Sequence, residues 1–96
     1  MSTLEEHCQQ AITQFGKPYE KVHRWLDEFA GTPGYGMRHR RVRHHLAGIG
    51  QVREIFGHEA ASVALQHIVT DFKEEGWVES DPFPTDEQDY VRIGFF

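Results

Sequence analysis

Two copies of the pattern His-x-x-x-Asp occur in the chain, and both residue types are ligands for divalent metals. The copies run from His23 to Asp27 and from His67 to Asp71. If each lies in a helix, its histidine and aspartate are one turn apart on the same face. Imidazole and carboxylate together suit zinc, iron(II), manganese or nickel. The repeated pattern therefore makes a divalent-metal site the first hypothesis for the chemistry of this protein.

A segment rich in arginine and histidine supplies further candidate ligands. Seven of the nine residues in 37–45 are Arg or His, and an apolar run with helical spacing follows to Phe56. A helix over 37–56 would point His45 into its own apolar face and place His39 and His44 near the edges. Buried polar groups without hydrogen bonds cost about 1–3 kcal/mol each, so these side chains need partners. The predicted metal ligands are His23, Asp27, His39, His44, His45, His67 and Asp71.

Two other interpretations of this cluster remain open. In one, the aspartates neutralise arginines and protonated histidines, so that the cluster is a structural polar network. In the other, the cluster is a metal-free acid–base or ligand-binding cleft. The chain contains neither a His-Glu-x-x-His motif nor a His-Asp dipeptide. The patterns of zinc metalloproteases and of HD-type phosphohydrolases therefore do not apply.

The arginines of the same segment suggest a different class of function, a metal-free module that binds a protein or a nucleic acid. A helix that carries several arginines can lie along phosphates. Helical spacing, however, turns Arg38 and Arg41 towards the core-facing side, and Arg40 and Arg43 outward. This division and the net charge of −5 oppose a phosphate-binding surface. Nucleic acid is therefore the less favoured partner.

Length and composition favour one domain in a reducing compartment. Ninety-six residues suit a single modest core, and 39% hydrophobic with 26% charged residues is ordinary for a globular protein. No apolar run approaches the ~18 residues of a membrane span, so we expect no membrane association. The single cysteine, Cys8, cannot form an internal disulfide. A cytoplasmic location is the expectation that follows.

Helical periodicity predicts an all-α fold, a compact bundle of four main helices with a proline-containing C-terminal tail. Glycine or proline stands at nearly every junction. Thr3 and Glu6 fit a capping box at the first helix. In the tail, Thr85 fits as the N-cap of a short helix over 86–91, whereas a short strand over 90–93 is the alternative. The predicted helices are 4–15, 18–30, 37–56 and 59–75, followed by the tail at 77–96.

Aromatic residues in the tail indicate that it covers an apolar surface. We expect the tail to lie across the bundle or across a second subunit. In the second case the protein is a homo-oligomer. The aromatic residues that carry this expectation are Phe83, Tyr90, Phe95 and Phe96.

The same residues resemble the pattern of a family of short uncharacterised bacterial and phage proteins. The pattern is His-x-Trp-x-Asp from His23, Arg-His-Arg-x-x-Arg-His-His-x-x-Gly-Ile from Arg38, and His-x-x-x-Asp from His67. The similarity covers roughly residues 18–90. The family is known only as a domain of unknown function, so the resemblance implies no catalytic residue. The sequence thus favours a small protein with a His/Asp metal site, for which hydrolysis is one reaction class.

Overall fold

The computed structural model describes residues 3–28 and 42–93, and within these two segments it contains helices and no strand. The predicted all-α class is confirmed. Residues 1–2, 29–41 and 94–96 lie outside the described residues, and with them Arg38, His39, Arg40, Arg41, Phe95 and Phe96. The described helices are α1 (Leu4–Phe15), α2 (Glu20–Leu26), α3 (Leu46–Phe56), α4 (His58–Glu74) and α5 (Glu87–Ile93).

Helix α1 begins and ends where its local sequence predicts. The hydroxyl of Thr3 accepts from the backbone N–H of Glu6, and the Glu6 carboxylate accepts from the backbone N–H of Thr3, which completes the capping box. Gly16 ends the helix in the left-handed region at φ 83°. The buried face, however, runs through His7 and Ala11. A histidine therefore faces the core of the bundle from the first helix.

Helix α4 is the central element, because it packs against α1, α2 and α3. It spans 17 residues and buries a face that includes Ala61, Ala64, Ile68 and Phe72, as its spacing predicts. Leu65 falls on the same face by helical spacing, but its side chain is 44% exposed. The buried apolar core of the described residues consists of Ala11, Val22, Leu26, Ile49, Val52, Ala60, Ala61, Val63, Ala64, Ile68, Phe72 and Tyr90.

The predicted helix over 37–56 is confirmed from Leu46 to Phe56, but it is interrupted at residues 44–45. Residues 42–43 are helical, residues 44–45 form a bend, and α3 begins only at Leu46. His45 adopts an extended conformation and caps α3, with its Nδ1 accepting from the backbone N–H of Gly48 at 2.9 Å. Because the helix restarts here, the face that it buries is rotated. Leu46 is consequently 50% exposed instead of lying in the core.

The C-terminal tail explains why the chain can bend at this point. The first amides of a helix have no partner within the helix and must find acceptors elsewhere. Here the backbone N–H groups of Leu46 and Ala47 donate to the carbonyls of Pro84 and Thr85, at 3.1 and 2.9 Å. The bend is therefore stabilised by a segment that is distant in sequence, which helical periodicity does not reveal.

The tail itself lies across the bundle. The ring of Phe83 packs 5.4 Å from that of Phe72, and the buried Tyr90 donates its hydroxyl hydrogen to the carbonyl of His44. Residues 87–93 form α5, so the alternative of a strand over 90–93 is wrong. Asp86, and not Thr85, accepts from the first turn, through the N–H of Asp89. Homo-oligomerisation through this tail stays a prediction.

Helix α2 is shorter than predicted at both ends, because it stops at Leu26 and residues 27–28 form a turn. It begins at Glu20, because Tyr19 adopts the left-handed conformation and acts as its N-cap. Pro18 therefore precedes the helix and does not belong to its first turn. Among the described segments, no helix has the length and apolar composition needed to cross a bilayer.

Candidate metal centre

Four side chains with metal-binding atoms converge from three parts of the fold. Asp27 directly follows α2, His44 lies in the bend before α3, and His67 and Asp71 are one turn apart on α4. One ligand atom from each lies within 4.8 Å of all the others. All four are residues that the sequence predicted as ligands. We refer to this set as the His/Asp cluster.

Four distances between histidine nitrogens and aspartate oxygens in the His/Asp cluster are close to the ligand–ligand spacing of a tetrahedral ion site. Nε2 of His44 lies 3.0 Å from Oδ2 of Asp71 and 3.4 Å from Oδ1 of Asp27. Nε2 of His67 lies 3.3 Å from Oδ2 of each aspartate. For a metal–ligand distance of about 2.0–2.1 Å, the corners of a tetrahedron are roughly 3.3–3.4 Å apart. An ion could therefore enter with small side-chain shifts.

The four side chains differ in their exposure to solvent. His44 and His67 are fully buried and the Asp71 side chain is 4% exposed, whereas the Asp27 side chain is 32% exposed. Buried charges and imidazoles of this kind need compensation, because water does not solvate them. Asp27 marks the side from which water or an ion reaches the cluster.

One buried nitrogen faces the two carboxylates without a well-aligned hydrogen bond to either. Nε2 of His67 lies 3.3 Å from an oxygen of Asp27 and 3.3 Å from an oxygen of Asp71. Among the described residues it nevertheless makes no well-aligned hydrogen bond. Buried polar atoms are nearly always hydrogen-bonded, so such an exception requires an explanation. A cation bound between the nitrogen and the oxygens would provide that explanation.

His7 joins the site from α1 and was missed by the sequence prediction. Its Nε2 lies 3.2 Å from Oδ1 of Asp71, and its ring stacks on that of His67 with centroids 3.7 Å apart. Its position one turn before Ala11, a buried residue, is the sequence signal that could have revealed it. His7 thus lies behind the His/Asp cluster, where it orients a carboxylate and an imidazole.

A second set of three histidines is less suited to an ion. His7, His23 and His67 also bring ring nitrogens within 4.8 Å of one another. Their rings are nearly parallel, however, with His7 inclined by 22° to His23 and by 17° to His67. Lone pairs lie in the ring planes, so parallel rings do not direct them to one point. His23, a predicted ligand, therefore lies behind His67 and outside the His/Asp cluster.

Comparison with known proteins assigns the chain to a family without assigning an activity. Residues 2–92 match the family described as a domain of unknown function, DUF6915. The chain belongs to the DUF6915 family. No curated protein and no solved structure gave a significant match. The function of this DUF6915 chain must therefore be argued from its own site.

Two further predicted site residues of the DUF6915 chain lie away from the cluster. Both ring nitrogens of His45 hold the bend, since Nε2 donates to the carbonyl of Val42 at 2.9 Å and Nδ1 caps α3. Arg43 stacks over Trp25 at 4.0 Å and forms an ion pair with Glu28 at 2.6 Å. Partner binding through the arginines stays a prediction, because Arg38, Arg40 and Arg41, like the predicted ligand His39, lie outside the described residues.

Electrostatics shift the pKa values of three histidines in and beside the cluster of the DUF6915 chain in different directions. Burial lowers the pKa of His44 to about 4, although Asp71 opposes this shift. Burial, with the nearby rings of His67 and His7, also lowers the pKa of His23 to about 4. Burial alone would lower the pKa of His67, but the carboxylates of Asp27 and Asp71 outweigh it and the pKa is raised.

The carboxylate of Asp71 remains ionised. Burial would raise its pKa, but His44, His67 and His7 hold the pKa far below its usual range. A neutral imidazole from His44 and an ionised carboxylate from Asp71 are the protonation states that metal ligation requires.

Proposed function

We propose that this DUF6915 protein binds a divalent transition-metal ion through the His/Asp cluster, Asp27, His44, His67 and Asp71. Two imidazole nitrogens and two carboxylate oxygens suit zinc, iron(II), manganese or nickel. The two carboxylates carry two negative charges, which a divalent ion neutralises. In the metal-free protein, a proton on His67 takes over part of this role, in line with its raised pKa.

The observation that carries the proposal is the position of Nε2 in His67. This nitrogen is buried, faces one oxygen of each aspartate at 3.3 Å and, among the described residues, makes no well-aligned hydrogen bond. In a structural polar network, the ring would instead align an N–H with one carboxylate oxygen at a shorter distance, since charge-assisted hydrogen bonds are short and well aligned. An ion at the centre of the four ligand atoms satisfies all of them at once.

Metal content tests the proposal directly. Protein purified without a polyhistidine tag should carry metal, or take up one ion per chain when it is loaded with zinc, iron(II), manganese or nickel at pH 7.5. Asp71→Asn preserves the size of the side chain and removes its charge, so we expect it to abolish stoichiometric binding. The measurement is elemental analysis after gel filtration.

The matched control is Asp81→Asn, the same change at an exposed aspartate outside the cluster. It should retain the metal content of the wild type. The proposal fails if the wild type takes up none of the four ions, or if Asp71→Asn retains as much metal as Asp81→Asn.

Hydrolysis is the reaction class that we infer for the loaded site. The support is the Asp27 side chain, which is 32% exposed and is therefore the ligand that water could replace. Metal-assisted hydrolysis needs a coordination position that water can reach. Zinc-loaded protein should cleave a simple phosphate or carboxylate ester faster than Asp71→Asn treated in the same way. Equal rates would mean that the cluster binds the ion but does not catalyse hydrolysis. The association with bacteria and phages and the cytoplasmic location stay predictions.

A further inference from the structure

A line of hydrogen bonds leads from the backbone before α2 to the back of His67. Nε2 of His23 lies 3.0 Å from the carbonyl oxygen of Pro18, and Nδ1 of His23 lies 3.0 Å from Nδ1 of His67. The two rings are inclined by only 19°, with centroids 5.2 Å apart. Both histidines are 1% exposed. The line therefore runs through the interior, away from competing water.

The hydrogens on this line follow from the chemistry of its members. A carbonyl oxygen only accepts, so Nε2 of His23 carries a hydrogen and donates it to Pro18. His23 is 1% exposed, and burial of this kind disfavours a charged ring, so the neutral His23 has its acceptor at Nδ1. Nδ1 of His67 must consequently be the donor. In a neutral His67, the lone pair is then on Nε2, which faces the two carboxylates.

We infer that His23 is a positioning residue that selects Nε2 of His67 as the metal-binding nitrogen. His23 donates to the Pro18 carbonyl through Nε2 and accepts from Nδ1 of His67 through Nδ1, and we refer to these two hydrogen bonds as the relay. The inference rests on the proposed metal function and deepens it. A histidine ligand can bind through either nitrogen, and the hydrogen bond made by the other nitrogen decides between them. In this protein a second histidine provides that bond.

The backbone at Tyr19 supports the same arrangement. Tyr19 has φ 53° and ψ 42°, a left-handed conformation that is uncommon for a residue with a side chain. Its carbonyl accepts from the N–H of Val22 at the start of α2, and its hydroxyl donates to the carboxylate of Glu59. These contacts hold the strained residue in place, next to the Pro18 carbonyl that His23 uses. Strain of this kind is concentrated at functional sites.

Two variants of nearly equal size separate the relay from simple packing. His23→Asn keeps an acceptor near the position of Nδ1, whereas His23→Leu removes it and leaves His67 without a partner on that side. The quantity to compare is the Kd for zinc, measured by competition with a chelator. We expect His23→Leu to weaken binding by roughly 10–100-fold, as for other residues that orient a ligand. His23→Asn should lie closer to the wild type than to His23→Leu.

Nitrogen-15 NMR of the wild type provides a measurement that needs no folded variant. In metal-free protein at pH 7, His23 should be protonated at Nε2 and unprotonated at Nδ1. In zinc-loaded protein, His67 should be protonated at Nδ1 and bound to zinc through Nε2. A purely structural contact would leave the choice of nitrogen unspecified.

Three results would overturn the relay: a hydrogen on Nδ1 of His23, zinc bound through Nδ1 of His67, or equal zinc affinity in His23→Leu and His23→Asn. A wild type that takes up none of the four ions would refute the proposed function instead. In that case the protonated nitrogen of His23 still decides whether the relay exists, so the two failures are distinguishable.

Discussion

At the scale of single residues, the histidines around the cluster prefer opposite protonation states. His23 and His44 have pKa values lowered to about 4, first of all because they are buried. The pKa of His67 is raised, since two carboxylates face it and outweigh its burial. In the unfolded chain all three return to an ordinary value of about 6.5. Folding therefore weakens proton binding at His23 and His44 and strengthens it at His67.

The metal-free protein should be most stable near pH 6.5 within the range in which histidine titrates. Below that pH, the unfolded chain protonates His23 and His44 while the folded protein does not. The free energy of unfolding then falls, by up to about 1.4 kcal/mol per pH unit for each residue. The contribution of His67 is fully present below pH 6.5 and is lost as the pH rises through its raised folded value.

Thermal unfolding in a chelator between pH 4.5 and 9 measures this dependence. His23→Asn removes one of the two residues with lowered pKa, so it should reduce the slope on the acid side and leave the alkaline side unchanged. A melting temperature that rises steadily from pH 6.5 to 4.5 would contradict the lowered pKa values.

At the scale of elements, the start of α3 positions His44. The bend at residues 44–45 brings the backbone of Arg43 against the first turn of the helix, over Gly48. A Cβ atom on Gly48 would lie 1.9 Å from the carbonyl oxygen of Arg43, far closer than any real contact. Only glycine allows this approach, so Gly48 determines where His44 can lie.

Alanine substitutions at two glycines of α3 test whether the bend depends on Gly48. Gly48→Ala should destabilise the protein by roughly 1–3 kcal/mol, as for other overpacked sites, and should weaken zinc binding by displacing His44. At Gly50, a Cβ would meet no atom of the described residues within 4 Å. Gly50→Ala should therefore stabilise the helix by roughly 0.5–1 kcal/mol.

Urea unfolding in a chelator and zinc competition provide the two measurements for this pair. If Gly48→Ala matched Gly50→Ala in both stability and zinc affinity, the bend would not depend on the close approach.

At the scale of the whole molecule, the cluster ties together parts of the chain that are distant in sequence. Its ligands come from the end of α2, the bend before α3 and the central helix α4, and His7 adds α1 from behind. An ion that binds only the folded arrangement stabilises all of these contacts together. Metal binding and global stability should therefore be linked.

Zinc should raise the melting temperature by an amount that depends on its free concentration relative to Kd. At a free concentration 100 times Kd, the gain is about 2.7 kcal/mol, or roughly 10–20 °C for a domain of this size. His67→Ala removes a ligand, so zinc should leave its melting temperature unchanged. A structural network predicts a different result, in which His67→Ala lowers stability equally with zinc and with chelator.

Local sequence determined the parts of this protein whose interactions lie within a few residues. The capping box of Thr3 and Glu6 and the left-handed Gly16 specify α1, because each hydrogen bond closes inside one turn. The pairing of His67 with Asp71 follows from helical spacing in the same way. Residue type and spacing were sufficient there, since backbone geometry alone brings the groups together.

Tertiary structure decided which of the candidate residues meet. The bend at residues 44–45 depends on carbonyls of Pro84 and Thr85 and on the hydroxyl of Tyr90, all in the distant tail. Those contacts turn His44 into the cluster and make His45 a helix cap, which periodicity along one helix cannot reveal. His7 likewise enters only because α1 packs against α4. Such long-range contacts gain their energy from packing between elements, and the pattern within any one element does not encode them.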